Sequence, residues 1–279
     1  MTGISTIGLV HAFGRAQSLL ATSAQRLATG QRINAGRDDP AGLIASENLE
    51  SQLAALEAES RASERNDAVA RTADAALGEV GDMLTEGQSL AVAAANTGAM
   101  SDAERDALQL QMDSVNQSVD RTLRSASFGG VPLFNGDVSI PAGGDSLHLD
   151  TMTLSSLGRT DFGGTTYDQS DTSNGEALAV NGDRPADTQT VLGASIEQIA
   201  TLRGQIGAFQ KNAIQARRAG IQSEIENVSA ANSIIRDTDY AAETANFARQ
   251  RTLAASTGAV LAIANQNPQN AAGLLGIAK

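Results

Sequence analysis

The chain contains five prolines, Pro40, Pro132, Pro141, Pro185 and Pro268, and they leave two very long stretches without one, 41–127 and 186–267. Inside a helix a proline removes a backbone hydrogen bond and collides with the preceding turn, at ~3 kcal/mol. The proline-free stretches are therefore where long helices can form. Residues 128–185, between them, are rich in Gly, Thr, Ser and Asp, the residues of turns and short strands.

Apolar spacing agrees with this parsing. Residues 4–29 place Leu9, Phe13, Ala16, Leu20, Ala24 and Leu27 at intervals of three and four, a helical stripe. Asp39 suits an N-cap and Pro40 the first position of a second helix. Along that helix Val69, Ala73, Ala76, Val80, Met83, Gly87 and Leu90 form a heptad seam. Running from 41 to 96 at ~1.5 Å per residue, it would be a rod about 80 Å long. Ser101 with Glu104 predicts a capping box, opening a third helix with Leu108, Met112, Val115, Val119 and Leu123 on one face.

"DVSIPAGGDSLHLDTMTL" reads as two short strands around a Pro/Gly turn. The stretch from Gly158 to Pro185 has no sustained period and reads as loop plus one more short strand. Helix returns with Ile196, Ile199, Leu202, Ile206, Phe209 and Ala213, and continues through Ile221, Ile225 and Val228. Asp237, Thr238 and Asp239 are placed to cap backbone N–H groups and interrupt it. A last helix is expected over 241–265, ending at "NQNPQN". The fold class is mainly α: a long antiparallel helical rod or coiled coil with a small β-hairpin region, the last helix lying beside the first. Both terminal stripes are poor in large apolar groups, so they are expected to be ordered by neighbouring copies.

Composition narrows the function. There is no Trp, aromatics make up 3% of the chain, and core fillers are scarce, which favours thin helical packing over a thick core. A net charge of -12 argues against nucleic acid. Without Cys there is no disulfide or thiolate chemistry. No apolar run reaches membrane-spanning length, so no membrane insertion is expected. In "MTGISTIGLVHAFGRAQSLL", His11, Arg15 and Gln17 interrupt any signal-peptide block, so export would not use an ordinary cleaved signal.

The stretch with the most chemistry is "RLATGQRINAGRDDPAGL", Arg26 to Leu43. It is not a phosphate loop: Gly36 is followed by Arg37 and Asp38 rather than Lys and Ser/Thr, and no strand precedes it. Asp38 and Asp39 are better read as helix-end carboxylates than as a catalytic or metal pair, and so are Asp237 and Asp239. His11 and His148 are the only histidines, with no H-E-x-x-H, too little for a zinc or nucleophile system. No catalytic residue, cofactor or metal site is assigned.

"QRLATGQRINAGRDDPAGLIASENLESQL" resembles the N-terminal signature of bacterial flagellins. "SFGGVPLFNG" resembles the turn after their third helix. "IEQIATLRGQIGAFQ" and "ANSIIRDTDYAAETANFARQRTLAASTGAVLAIANQNPQNAAGLL" resemble their C-terminal half. The motifs run in the family's order and leave only 158–185 unmatched. The resemblance implies an inner coiled-coil domain, 1–37 with 240–279, around a filament channel. It implies a helical rod domain, 38–157 with 176–239, its hairpin region near 128–157, and a short variable outer loop, 158–175. Residues 28–40 would be the joint between inner and outer parts. Arg32, Asn34, Arg37, Asp38, Asp39 and Pro40, with Asp237, Asp239 and Tyr240, would make the joint and subunit contacts. Asn265, Gln266, Pro268, Gln269 and Asn270 would lie near the channel.

The implied function is a structural subunit of the extracellular flagellar filament, exported unfolded through the flagellar secretion channel. Its partners would be other copies of itself in a helical homopolymer, an export chaperone, and hook-associated and cap proteins. A hook–filament junction protein and an enzyme carried on a flagellin scaffold are the alternatives. Thr160, Thr165, Thr166, Ser170, Thr172 and Ser173 lie in the loop-like stretch, where O-glycans could attach. Many flagellins are detected by a vertebrate cell-surface receptor through arginines at positions matching Glu86 and Gln88 and an acidic residue matching Ser89. The changes here imply weak detection.

Overall fold

The computed structural model describes residues 2–96 and 100–274, with the backbone alone for 2–6, 265 and 267–274. Six α-helices dominate: α1 (Thr2–Thr29), α2 (Pro40–Ala94), α3 (Asp102–Ser125), α4 (Pro185–Phe209), α5 (Gln215–Arg236) and α6 (Tyr240–Leu274). Between α3 and α4 lie three antiparallel hairpins. They pair β1 (Ser127–Phe128) with β2 (Val131–Pro132), β3 (Val138–Ala142) with β4 (Asp145–Leu149), and β5 (Thr160–Phe162) with β6 (Thr165–Tyr167). Contacts group the chain into two compact units, Met1–Leu56 with Glu224–Lys279, and Glu57–Ser223.

In the first unit α1 and α6 run antiparallel. Phe13 packs on Gly258, where a methyl group would come within 3.1 Å of its ring. Further along, the buried Glu243 carboxylate accepts a hydrogen bond from Ser23 Oγ and lies 3.8 Å from Arg26. The start of α2 lies against the end of α5, with Ser46 Oγ donating to Asn232 Oδ1 at 2.8 Å and Arg236 paired with Glu50.

The core of the second unit lies where α2 meets α3 and α4. Its most buried line along α2 is Ala70, Ala73, Leu77, Val80, Leu84, Gly87, Ala91 and Ala94. The expected seam shares Ala73, Val80 and Gly87 with that line, but Val69, Ala76, Met83 and Leu90 flank it, half-buried. The difference arises because α2 serves two neighbours at once. A methyl at Gly87 would touch Leu192 of α4 on one side and Met112 and Val115 of α3 on the other. The buried line faces the crevice between them. On α3, Met112, Val115, Val119 and Leu123 are buried as the spacing requires. Ser101 and Glu104 close the capping box, and the Ser101 backbone N–H and hydroxyl hold the Glu104 carboxyl below the ordinary carboxylate value.

Two irregularities were not legible as periodicity. Between α4 and α5 the chain makes a π turn, Gln210–Ile214. Leu192, Ile199 and Ile206 are buried seven residues apart, the next buried position is Ile214 at eight, and Ile221 follows at seven. The wider turn absorbs the extra residue and keeps the stripe on one face. Ala213, like Ile196, Leu202 and Phe209 of the expected stripe, packs half-buried against the core.

The second irregularity is the stretch from Gly158 to Pro185. It holds the β5–β6 hairpin and a short 3-10 turn, Gln169–Thr172, rather than loop with one strand. Leu157, Leu178 and Val180 are buried, and Gln109, Asn116, Gln169, Thr172, Thr188 and Ser195 form a buried polar layer. Gln109 Nε2 donates to Thr172 O at 3.1 Å, and its Oε1 accepts from Val180 N at 2.6 Å. Asn116 Nδ2 donates to Thr172 Oγ1 at 2.9 Å, and Gln169 Nε2 donates to Asn116 Oδ1 at 2.9 Å. Gly158, at φ 64°, passes so close to α4 that a methyl would overlap the Ser195 hydroxyl and the Val191 carbonyl. Arg184 lies over the rings of Phe162 and Tyr167 and pairs with Asp187 at 2.7 Å. The Tyr167 hydroxyl, then Asp187, raise its pKa further.

Thr172 is therefore corrected as a glycosylation candidate: its hydroxyl is buried and donates to Gln169 O at 2.9 Å. Thr165 and Thr166 are exposed, and Thr160, Ser170 and Ser173 are half-buried. α6 also departs from expectation by continuing through Pro268 to Leu274. A proline removes only its own N–H, and the turns on either side can carry the helix past it.

Candidate assembly site

The two joints of the first unit, α1 to α2 and α5 to α6, are zipped together. Arg32 N donates to Arg236 O at 2.7 Å, Thr238 N donates to Gly30 O at 2.9 Å, and Gln31 bridges Asp237. Arg32 adds a side-chain bond from Nη2 to Ile235 O at 2.7 Å, and Arg26 Nε donates to Arg32 O at 3.0 Å. Gly30 ends α1 at φ 72°, a left-handed cap that favours glycine. A methyl there would sit 2.8 Å from the Tyr240 hydroxyl.

The adjacent aspartates have separate jobs. Asp38 Oδ2 accepts from Asn34 N at 3.1 Å and Ala35 N at 3.0 Å, folding the loop on itself. Asp39 Oδ1 accepts from Gly42 N at 2.9 Å, the expected N-cap of α2. Asn34 Nδ2 donates to Gln31 O at 2.7 Å. In the second joint Asp239 Oδ1 accepts from Ala241 N and Ala242 N at 2.9 and 3.1 Å, capping α6. Asp237 takes the Ser233 hydroxyl at 2.5 Å. Thr238 is corrected as a cap: among the described residues its buried side-chain oxygen has no hydrogen-bond partner, and its role here is the backbone bond to Gly30.

The structure thus brings Arg32, Asn34, Asp38, Asp39 and Pro40 together with Asp237, Asp239 and Tyr240. Arg37 stands apart, its side chain 82% exposed and 3.9 Å from Asp38. Sequence reasoning missed Ile33, which is 1% exposed and is the apolar anchor of the joint. An isoleucine alone among Gly, Asn, Arg and Asp was the available signal. It also missed the Ser23–Glu243 pair, which periodicity cannot show because it spans 220 positions. Of the channel-proximal candidates, Gln266 is exposed, while the side chains of Asn265, Pro268, Gln269 and Asn270 lie outside the described residues. Glu86 and Ser89 are exposed on α2 and Gln88 is half-buried.

Beyond the joints, α1 and α6 leave large apolar side chains uncovered. Ile7, Val10 and Leu19 on α1 and Leu253, Val260 and Ile263 on α6 are all exposed. Isolated exposed apolar groups are ordinary, but repeated on two paired helices they make a surface for further helices. Among the described residues no cluster could hold a metal ion, and no helix is long and apolar enough to cross a membrane.

Residues 2–139 match the bacterial flagellin N-terminal helical region, and residues 190–275 match the C-terminal helical region. The flagellin of Bacillus subtilis (strain 168) is 29% identical over 280 residues, 90% of this chain and 91% of that protein. Flagellin FlaB2 of Treponema pallidum (strain Nichols) is 29% identical over 272 residues, 90% of each chain. A solved structure described as a flagellar hook-associated protein from Vibrio parahaemolyticus aligns with a TM-score of 0.58 at 14% identity. It covers 71% of this chain and 99% of that one, and shows a common fold alone. Matched in order at both ends and over nine-tenths of these relatives, the chain belongs to the bacterial flagellins.

Proposed function

We propose that this chain is the repeating structural subunit of an extracellular flagellar filament used for swimming. The observation that carries it is the antiparallel α1–α6 pair, whose two helices leave Ile7, Val10, Leu19, Leu253, Val260 and Ile263 uncovered. Copies that bury this surface against one another head to tail do not close into a ring by necessity, and repetition yields a helical polymer. In that polymer residues 1–37 and 240–279 form the inner coiled coil around a channel, and 38–157 with 176–239 lie outside it. The zipped joints fix where α2 and α6 leave the junction. Arg37, 82% exposed and 3.9 Å from Asp38, is available to a neighbouring subunit.

The subunit leaves the cell unfolded through the flagellar secretion channel, guarded by an export chaperone and met by hook-associated and cap proteins. It is a building element rather than an enzyme. Deleting 1–37 or 240–279 tests the reading. Circular dichroism should show a mainly helical protein, and sedimentation should show a monomer that does not polymerise. Normal filaments from either truncation would overturn the assignment of those segments.

A further inference from the structure

The sequence holds three Asn–Gly pairs, Asn135–Gly136, Asn174–Gly175 and Asn181–Gly182. Glycine leaves its backbone nitrogen sterically open to attack the side-chain carbonyl of the asparagine before it, so the sequence ranks the three alike. The structure separates them. Asn135 Nδ2 donates to Asp137 Oδ2 at 3.0 Å, and its Oδ1 accepts from Asp137 N at 3.1 Å. Asn181 Nδ2 donates to Asp106 Oδ1 at 2.8 Å, and the Gly182 N–H is engaged with Ala179 O at 2.9 Å.

Asn174 has neither restraint. It is exposed, and among the described residues neither its side-chain amide nor the Gly175 N–H makes a hydrogen bond. The turn around them is closed by one backbone bond, Glu176 N to Ser173 O at 3.1 Å, and nothing lies within 4 Å of a methyl built on Gly175. Rotation of the Asn174 side chain and of the Asn174–Gly175 link can therefore bring nucleophile and carbonyl together without breaking a hydrogen bond of the Asn174 amide.

We infer that Asn174 is a self-modification site, deamidating through a succinimide with Gly175, while Asn135 and Asn181 are held back by their hydrogen bonds. The Gly175 nitrogen loses its proton to solvent base and bonds to Asn174 Cγ. The Cγ–Nδ2 bond breaks, and ammonia leaves with a proton from water. Water then opens the five-membered ring. Cleavage of the new N–Cγ bond gives aspartate, and cleavage of the original peptide bond gives isoaspartate. Nothing is oxidised, one water is consumed, and one negative charge is gained. The charge arises beside Asp113, whose Oδ1 accepts the Asn174 backbone N–H at 2.9 Å. Isoaspartate also lengthens the main chain between the buried Thr172 and Leu178.

The test is peptide mapping by mass spectrometry of the full chain kept in mildly alkaline H2(18)O buffer. The expected result is heavy-oxygen incorporation, as mixed aspartate and isoaspartate, at position 174 at least about tenfold faster than at 135 or 181. In denaturant the three rates should converge. Comparable or faster reaction at 135 or 181 in the folded protein would overturn the inference. So would an unreactive Asn174, or an order of rates that persists in denaturant.

Discussion

Asp39 shows how one carboxylate can define a boundary. It accepts the Gly42 N–H and lies beside the space a Gly42 side chain would need, with Ile33 on the other flank. Asp39→Ala should weaken the start of α2 by about 1 kcal/mol. Gly42→Pro should cost more, because it removes the donor that Asp39 caps and drives a ring into Ile33. Hydrogen exchange over residues 41–50 reads both effects, and unchanged protection in both variants would remove the capping account. This residue was legible because an Asp-Pro pair before an apolar run is a local signal. Ile33, Ser23 and Glu243 were not, since their partners are set by the fold and not by their neighbours in sequence. A second prediction at this scale concerns the receptor that detects many flagellins. Glu86 and Ser89 project from α2, and the Ser89 hydroxyl donates to Glu86 O at 2.7 Å. A carboxylate at a position that suits an arginine loses a charge-assisted contact and adds repulsion, about 2 kcal/mol or roughly thirtyfold in affinity. The monomer should activate a receptor-reporter cell weakly, and Glu86→Arg with Gln88→Arg should raise potency. Potency equal to that of an arginine-bearing flagellin would contradict this.

Among the elements, the helices and the β3–β4 hairpin were legible, and the stretch from Gly158 to Pro185 largely was not. Helix periodicity depends on apolar residues, and Met112, Val115, Val119 and Leu123 supply it on α3. The stretch from Gly158 to Pro185 reads as loop because Gln169 and Thr172 are polar, yet both are buried and bonded to each other, and Gln169 also accepts from Ser195 of α4. Polar residues hide their burial from any hydropathy pattern. The stretch is therefore part of the core of the second unit. Replacing 160–182 by a Gly/Ser linker should strip Leu178 and Val180 from the core, leave the Asn116 amide without its partners and take the donor from Gln109 Oε1. Unpaired buried amides and lost apolar burial together predict a destabilisation of several kcal/mol, about 1–3 for each orphaned group. Exchanging only the exposed Gly163–Gly164 turn for another flexible pair should leave the melting temperature within a few degrees. Thermal unfolding of the two variants distinguishes them, and equal stability would mean the polar layer contributes nothing.

At the scale of the whole molecule, the two ends of the chain meet in one unit. α1 pairs with α6, and their joints hydrogen-bond to each other. The last helix lies beside the first, as the two terminal stripes lead one to expect, and we propose that other copies cover what the pair leaves exposed. The pair leaves apolar side chains on both terminal helices uncovered. Those residues do not determine folding of the second unit, whose core lies within 57–223. Folding and polymerisation should therefore separate by mutation. The most direct measurement is electron microscopy of concentrated full-length protein beside the double variant Leu19→Asp, Leu253→Asp, with circular dichroism of both. The full-length protein should form long filaments, and the variant should stay monomeric with its helix content unchanged. Absence of filaments from the unmodified chain, or normal filaments from the variant, would contradict the account.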